Sequence, residues 1–216
     1  MATSAKSRQG KATASAASDS ASAPESGSAA IPSFSDTSAY LTDATQRTFL
    51  FLDTLLNRGN NYLDHLDQGT PPLLKFEHQI VLDGHDLPNP CNYALLCLVP
   101  PADMPVKPEA RPVVVVDPRA GHGPGIGGFK FDSEVGMAMR AGHTVYFLTF
   151  RPEPEEGQTL VTVMEAETRF MEEVIARHPR CKARPVVIGN CQAGWAMMAL
   201  NALHPGLFGP LMIVGA

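Results

Sequence analysis

From residue 113 onward, short apolar runs alternate with stretches of helical period, and this alternation limits the fold more than any other feature. Val113 to Val116 is a continuous β-branched run, as expected of a strand buried on both faces. The pattern then predicts a helix over 131–140, ended at Ala141-Gly142, and a strand over 144–150. A second helix follows over 162–178, then a strand over 185–188, a third helix over 193–204 stopped by Pro205-Gly206, and a strand over 211–214. In the 162–178 helix, Val163, Ala166, Phe170 and Val174 share one face, and the charges are expected elsewhere. Such alternation implies an α/β fold, a mostly parallel sheet joined by crossover helices.

Upstream the periods differ. Leu41, Thr45, Phe49, Leu52, Leu55 and Leu56 recur at three- and four-residue steps, so an amphipathic helix is predicted over 40–66, broken near Arg58-Gly59-Asn60-Asn61. Leu74, Phe76, His78, Ile80 and Leu82 alternate with Lys75, Glu77, Gln79 and Val81 before Asp83-Gly84, which reads as a strand and turn. Residues 93–99 supply the returning strand of a hairpin. The Pro-rich stretch 100–112 is a connection. Residues 1–38 are Ala/Ser-rich and almost free of large apolar side chains, so they are read as a disordered tail. The predicted organisation is therefore a tail over 1–38, a helical segment over 39–70 and an α/β domain over 71–216.

Charge and composition narrow the function. A formal net charge of −5 lacks the Lys/Arg surplus that phosphate neutralisation needs, which argues against nucleic acid as a partner. No run of eighteen apolar residues and no secretory apolar core occur, so no transmembrane segment is expected and a cytoplasmic setting is the default. The cysteines at 91, 97, 181 and 191 form no Cys-x-x-Cys pair, and no metal site is expected.

The chemistry-bearing segment is Gly189-Asn190-Cys191-Gln192-Ala193-Gly194, directly after Val186-Val187-Ile188 and opening a helix. Strand, tight turn and helix are the context of a nucleophile elbow. The nucleophile there holds a strained backbone, and residues two before and two after it approach closely, which suits Gly189 and Ala193. The turn lifts the Cys191 thiol over the helix N-terminus, where the dipole and free N–H groups favour negative charge. The Gln192 N–H would face the oxyanion formed when a carbonyl is attacked. The other reading of Cys191 is a small apolar residue in a buried turn.

A second glycine cluster, Gly123-Pro124-Gly125-Ile126-Gly127-Gly128, contains Gly-x-Gly-x-x-Gly. However, residues 117–122 separate it from its strand, and the next strand ends at Phe150-Arg151 without an acidic residue for a ribose. No dinucleotide or other cofactor is therefore expected. In a hydrolase fold this loop completes the oxyanion hole, with glycines that let N–H groups face the site. Pro118 cannot donate, which leaves Arg119 or Ala120 as the second donor, and His122 is a candidate for substrate binding.

The run Val-Val-Ile-Gly-Asn-Cys-Gln-Ala-Gly-Trp resembles the cysteine lipase-box of polyhydroxyalkanoate synthases, within the α/β-hydrolase superfamily. The likeness extends through Arg140-Ala-Gly-His-Thr-Val-Tyr-Phe-Leu-Thr-Phe-Arg-Pro-Glu-Pro to the strand over 112–116, and more loosely to 45–61. It implies a cysteine acyltransferase taking hydroxyacyl-CoA thioesters, with Cys191 as nucleophile and Gln192 as oxyanion donor. The loop over 117–128 departs from that family in lacking its Pro-Pro-Trp pattern. The family's catalytic Asp and His follow later strands, so this sequence is expected to be an amino-terminal portion of a longer protein, its sheet incomplete at the C-terminus. Two alternatives stay open. One is a cysteine hydrolase of the dienelactone-hydrolase or esterase type, acting on an acyl ester. The other is a truncated, non-catalytic interaction protein that acts on a storage granule or membrane surface through the 40–66 helix; association with further copies of itself is also open.

Overall fold

The computed structural model describes residues 33–120, 123 and 125–216, and the expected tail lies almost wholly outside them. Contacts divide the chain into a unit ending at Thr54 and one beginning at Leu55, a boundary that falls inside the first helix.

That helix, α1, is Phe34–Asp67, thirty-four residues long. It begins before the predicted 39–70 boundary because Ser33 caps it: the Ser33 hydroxyl accepts from the Asp36 N–H at 3.2 Å, and the Asp36 carboxylate accepts from the Ser33 N–H at 3.1 Å. The expected break at Arg58-Gly59 does not occur. A lone glycine costs a helix about 1 kcal/mol, which its neighbours absorb. No residue of α1 is buried.

The second unit holds a six-stranded sheet in the order β1-β2-β4-β3-β5-β6. Its strands are β1 (His78–Asp83), β2 (Tyr93–Leu98), β3 (Val113–Val116), β4 (Val145–Phe150), β5 (Val186–Asn190) and β6 (Leu211–Val214). β1 and β2 form the predicted antiparallel hairpin, with a bulge between Ile80 and Leu82, and β2 also runs antiparallel to β4. β4, β3, β5 and β6 are mutually parallel. A parallel core flanked by an antiparallel strand, with a sharp strand-to-helix turn after a parallel strand, is the architecture of the α/β-hydrolase type.

Helices cover both faces. α2 is Glu134–Arg140, α3 Leu160–Arg177 and α4 Gln192–Leu203. The two-residue period of each strand sends alternate side chains into two cores. Val114, Val116, Tyr146 and Leu148 join Val163, Phe170 and Val174 of α3 and Met197 and Leu200 of α4. Val113, Val115, Val145 and Phe147 join Val135 and Met139 of α2. α2 starts three residues later than predicted because Ser133 caps it, its hydroxyl accepting from the Gly136 N–H at 3.2 Å. α3 starts two residues earlier, capped by Thr159 in a reciprocal box with Thr162. Where β4 ends, Arg151 forks onto the carboxylate of Asp83 at the end of β1, fixing the hairpin to the core strand. No helix among the described residues is long and apolar enough to cross a membrane.

Candidate active site

At the C-terminal end of β5 the chain turns directly into α4, and Cys191 occupies the corner with φ 47° and ψ −119°. A non-glycine residue reaches this left-handed region only when its surroundings hold it there. The hold is visible: the Cys191 N–H donates to the Val214 carbonyl at 2.7 Å, and the Gly194 N–H donates to the Cys191 carbonyl at 3.0 Å. The turn leaves no room beside it. A Cβ at Gly189 would lie 2.9 Å from the Ala193 carbonyl oxygen and from Gly194 Cα, and one at Gly194 would lie 2.7 Å from Ile213 Cγ2. The Cys191 side chain is exposed, while Ala193 and Gly194 beneath it are buried. Gln192 opens α4 immediately after the thiol, so its N–H belongs to the first turn, where amides lack helical partners. Asn190, buried just before Cys191, donates from Nδ2 to Glu134 Oε2 of α2 at 2.8 Å, anchoring the turn to the opposite helix layer.

The loop after β3 differs from expectation. Asp117 is buried, and its carboxylate accepts from the Gly125 N–H at 2.9 Å and the Ile126 N–H at 3.3 Å. The glycine-loop amides expected to face the site are thus aimed at Asp117. Gly125 and Gly127 have φ of 71° and 93°, which the curl around that carboxylate requires. Burial pushes the Asp117 carboxyl up to about 7, with the two N–H donors opposing. The Ala120 N–H donates to the Pro118 carbonyl at 2.7 Å, so of the two oxyanion candidates only Arg119 keeps its amide out of a backbone bond among the described residues. His122 lies outside the described residues.

The Arg119 side chain folds back over β2 and β4. Its guanidinium lies 5.4 Å from the Tyr93 ring centroid and 5.9 Å from that of Phe150, and one nitrogen reaches Asn92 Oδ1 at 3.4 Å. Asn92 is buried and fixed by Gln158, whose Nε2 donates to the same oxygen at 2.7 Å. Beside the elbow, a cavity of about 60 Å³ is lined by Tyr93, Asp117, Arg119, Glu167, Gln192 and Trp195, among others. Glu167 is a residue that sequence reasoning missed. It lies on α3 with only 3% exposure, and its Oε2 has no hydrogen-bond partner. Burial pushes its carboxyl up to about 8, the nearby Arg119 charge pulling the other way. The expectation that charges avoid the apolar face of α3 is therefore corrected: Glu167 is four residues from Val163 and three from Phe170, on that same face.

Three histidines are engaged apart from the elbow. His85 pairs with Glu155 at 3.0 Å, His143 Nδ1 meets the Arg111 carbonyl at 2.7 Å, and His178 meets the Tyr146 hydroxyl at 3.0 Å. None of these lines the cavity beside the thiol. Cys91 is buried, and burial raises both its thiol and that of Cys97. A larger cavity of about 350 Å³, lined by residues including Leu87, Glu165, Arg169 and His204, contains no residue of the elbow or of the loop after β3. Among the described residues no group of three or more His, Cys, Asp and Glu side chains is disposed to hold a metal ion.

The family described as "Protein of unknown function (DUF3141)" matches residues 43–216. A Rhizobium meliloti protein, "Uncharacterized protein in ackA 5′region", is 54% identical over 186 residues, which cover 86% of this chain and 25% of that protein. The chain thus spans about a quarter of that relative's length. Among solved structures, an acetyl xylan esterase from Aspergillus awamori overlaps 63% of this chain and 51% of its own at 19% identity and a TM-score of 0.47. An α/β serine hydrolase without a lid from Xanthomonas campestris overlaps 62% of this chain and 59% of its own at 21% identity and a TM-score of 0.38. The strand order and the elbow carry the fold assignment.

Proposed function

This chain belongs to the DUF3141 family, and for it we propose acyl transfer through a covalent thioester on Cys191. The observation that carries this reading is the exposed thiol held at φ 47° between β5 and α4. Glycine holds such a φ at least cost, so an exposed cysteine kept at this corner supports a role for the thiol.

In the proposed reaction the Cys191 sulfur attacks the carbonyl carbon of an ester or thioester, and its proton passes to a general base of the intact protein. The carbonyl electron pair moves to oxygen, where the Gln192 N–H and the Arg119 N–H donate to the oxyanion. Collapse of the tetrahedral intermediate breaks the bond to the alkoxide or thiolate leaving group, which takes up a proton, and the acyl group remains on sulfur. Transfer to an alcohol is the polyhydroxyalkanoate-synthase type of outcome; transfer to water is the esterase type. Both share the first half-reaction. The likeness of Gly-Asn-Cys-Gln-Ala-Gly to the synthase elbow supports the alcohol, and with it hydroxyacyl-CoA as donor.

The intact protein is incubated with an acyl-CoA and quenched in acid, and the adduct is mapped by mass spectrometry. The reading expects one acyl group on Cys191, absent in Cys191→Ala and released by neutral hydroxylamine. Acylation of another residue, or none under conditions where CoA is released, would reject it.

A further inference from the structure

The cavity beside the elbow contains an arrangement that the attack on a carbonyl does not use. Arg119 has no carboxylate within ion-pairing distance among the described residues, although Asp117 and Glu167 line the same cavity. Its guanidinium is pinned over Tyr93 and Phe150, with a single long contact to Asn92. Glu167 sits 3% exposed in the wall with Oε2 unpartnered, a costly state for a buried polar atom unless something pairs with it. We propose that this cavity is a subsite for a second, ionised carboxylate on the acyl substrate, with Arg119 as its cationic fork and Glu167 as a hydrogen-bond donor. The assignment to the acyl portion rests on the reading of Cys191 as nucleophile.

Charge and shape both favour this occupant. Burial pushes the Asp117 carboxyl up to about 7 and that of Glu167 up to about 8, so near pH 7 neither carries a full negative charge to offset Arg119. The other groups facing Glu167 are Tyr93 and Cys91, neither of them charged near neutrality, and α4 contributes only Gln192, Ala193, Trp195 and Ala196. A planar guanidinium pairs with a carboxylate through two parallel N–H bonds, a geometry that a hydroxyl cannot match. A protonated Glu167 then donates from the atom that otherwise has no partner. A volume of about 60 Å³ admits a carboxylate and the carbon next to it. Gln192 and Ala193, the residues directly after the nucleophile, form part of the same wall, so the second carboxylate sits a short chain away from the attacked carbonyl. The substrate class is thus a half-ester or half-thioester of a short dicarboxylic acid.

The chain's only tryptophan is Trp195, which lines the cavity, so its fluorescence reports occupancy without any need for turnover. In Cys191→Ala, monomethyl succinate is expected to give a saturable change, and neutral dimethyl succinate none. Arg119→Gln should weaken binding about ten- to hundredfold, the usual worth of a charge-assisted hydrogen-bonded pair. Glu167→Gln keeps a donor and should bind within a few fold of the parent, whereas Glu167→Leu should not bind. Equal binding of the two esters, equal binding of sulfate, or undiminished binding by Arg119→Gln would overturn the proposal. The parallel measurement is acylation of Cys191 by succinyl and butyryl thioesters. Acylation without preference for succinyl overturns the subsite and leaves the nucleophile standing. Carboxylate binding without any acylation rejects the nucleophile and leaves a carboxylate site that serves something other than an acyl group.

Discussion

Replacing Cys191 with glycine should make the protein more stable while abolishing the proposed acyl transfer. The residue holds φ 47° and ψ −119°, where a side chain costs about 1–3 kcal/mol and glycine almost nothing. The thiol is exposed, so its loss opens no cavity in the core. Against the relief stands the extra freedom of an unfolded glycine, about 0.4–1 kcal/mol. The net expectation is a gain of about 0.5–2 kcal/mol for Cys191→Gly over Cys191→Ala, which removes the thiol equally but keeps the strain. For a domain of this size that corresponds to about 1–8 °C in Tm. Thermal and urea unfolding of the Gly, Ala and Ser variants, followed by circular dichroism, measure it. A glycine variant that melts at or below the alanine variant would refute the argument, because the corner would then be unstrained.

Gly136→Ala should destabilise although it adds a good helix former to α2: the new Cβ would meet the Phe131 carbonyl oxygen at 1.9 Å, so a loss of about 1–3 kcal/mol in urea unfolding replaces the usual gain. In brief iodoacetamide labelling of folded protein, peptide mapping should find Cys191 modified well before Cys91 and Cys97, whose thiols are covered and raised by burial; equal labelling would count against the elbow. Asp117 and Glu167 bind protons more tightly folded than unfolded, so they make stability fall as pH rises from about 4, the unfolded value, through their folded values of about 7 and 8. Glu167→Gln should flatten the upper part of that fall in unfolding curves taken across the range, and an unchanged slope would show that the group is already ionised.

The elements whose burial is governed by one period were legible in the chain. Val113 to Val116 and Leu211 to Val214 are strands at the predicted residues, because each is a continuous apolar run with turn residues at its ends. Helix starts were less legible, since they depend on which hydroxyl caps: Ser133 shortened α2, Thr159 lengthened α3, and Ser33 carried α1 into the expected tail. The elbow could be read because its glycines answer a local steric demand. The cavity could not, because it joins Tyr93 of β2, Arg119 of a loop and Glu167 of α3, which only the sheet order brings together. A signal for Glu167 did exist: a carboxylate in step with Val163 and Phe170 is a charge at a core position. The inward curl of the glycine loop onto Asp117 had none, since glycine marks the freedom to turn and not the direction taken.

The strained corner also bears on how such a chain persists under mutation. A cysteine codon becomes a glycine codon by one base change, and at position 191 that change relaxes the backbone. Drift alone would favour the substitution, because chains near their stability threshold gain from any change that relieves strain. At positions 189 and 194 glycine is enforced by neighbours that admit no side chain. Position 191 is the reverse case, where glycine would be admitted and this chain carries cysteine. Under the proposed thioester chemistry, a lineage in which the thiol had lost its use would be expected to slide to Gly-Asn-Gly-Gln-Ala-Gly, so the residue at this one corner across DUF3141 sequences is expected to separate acyl-transferring members from silent ones.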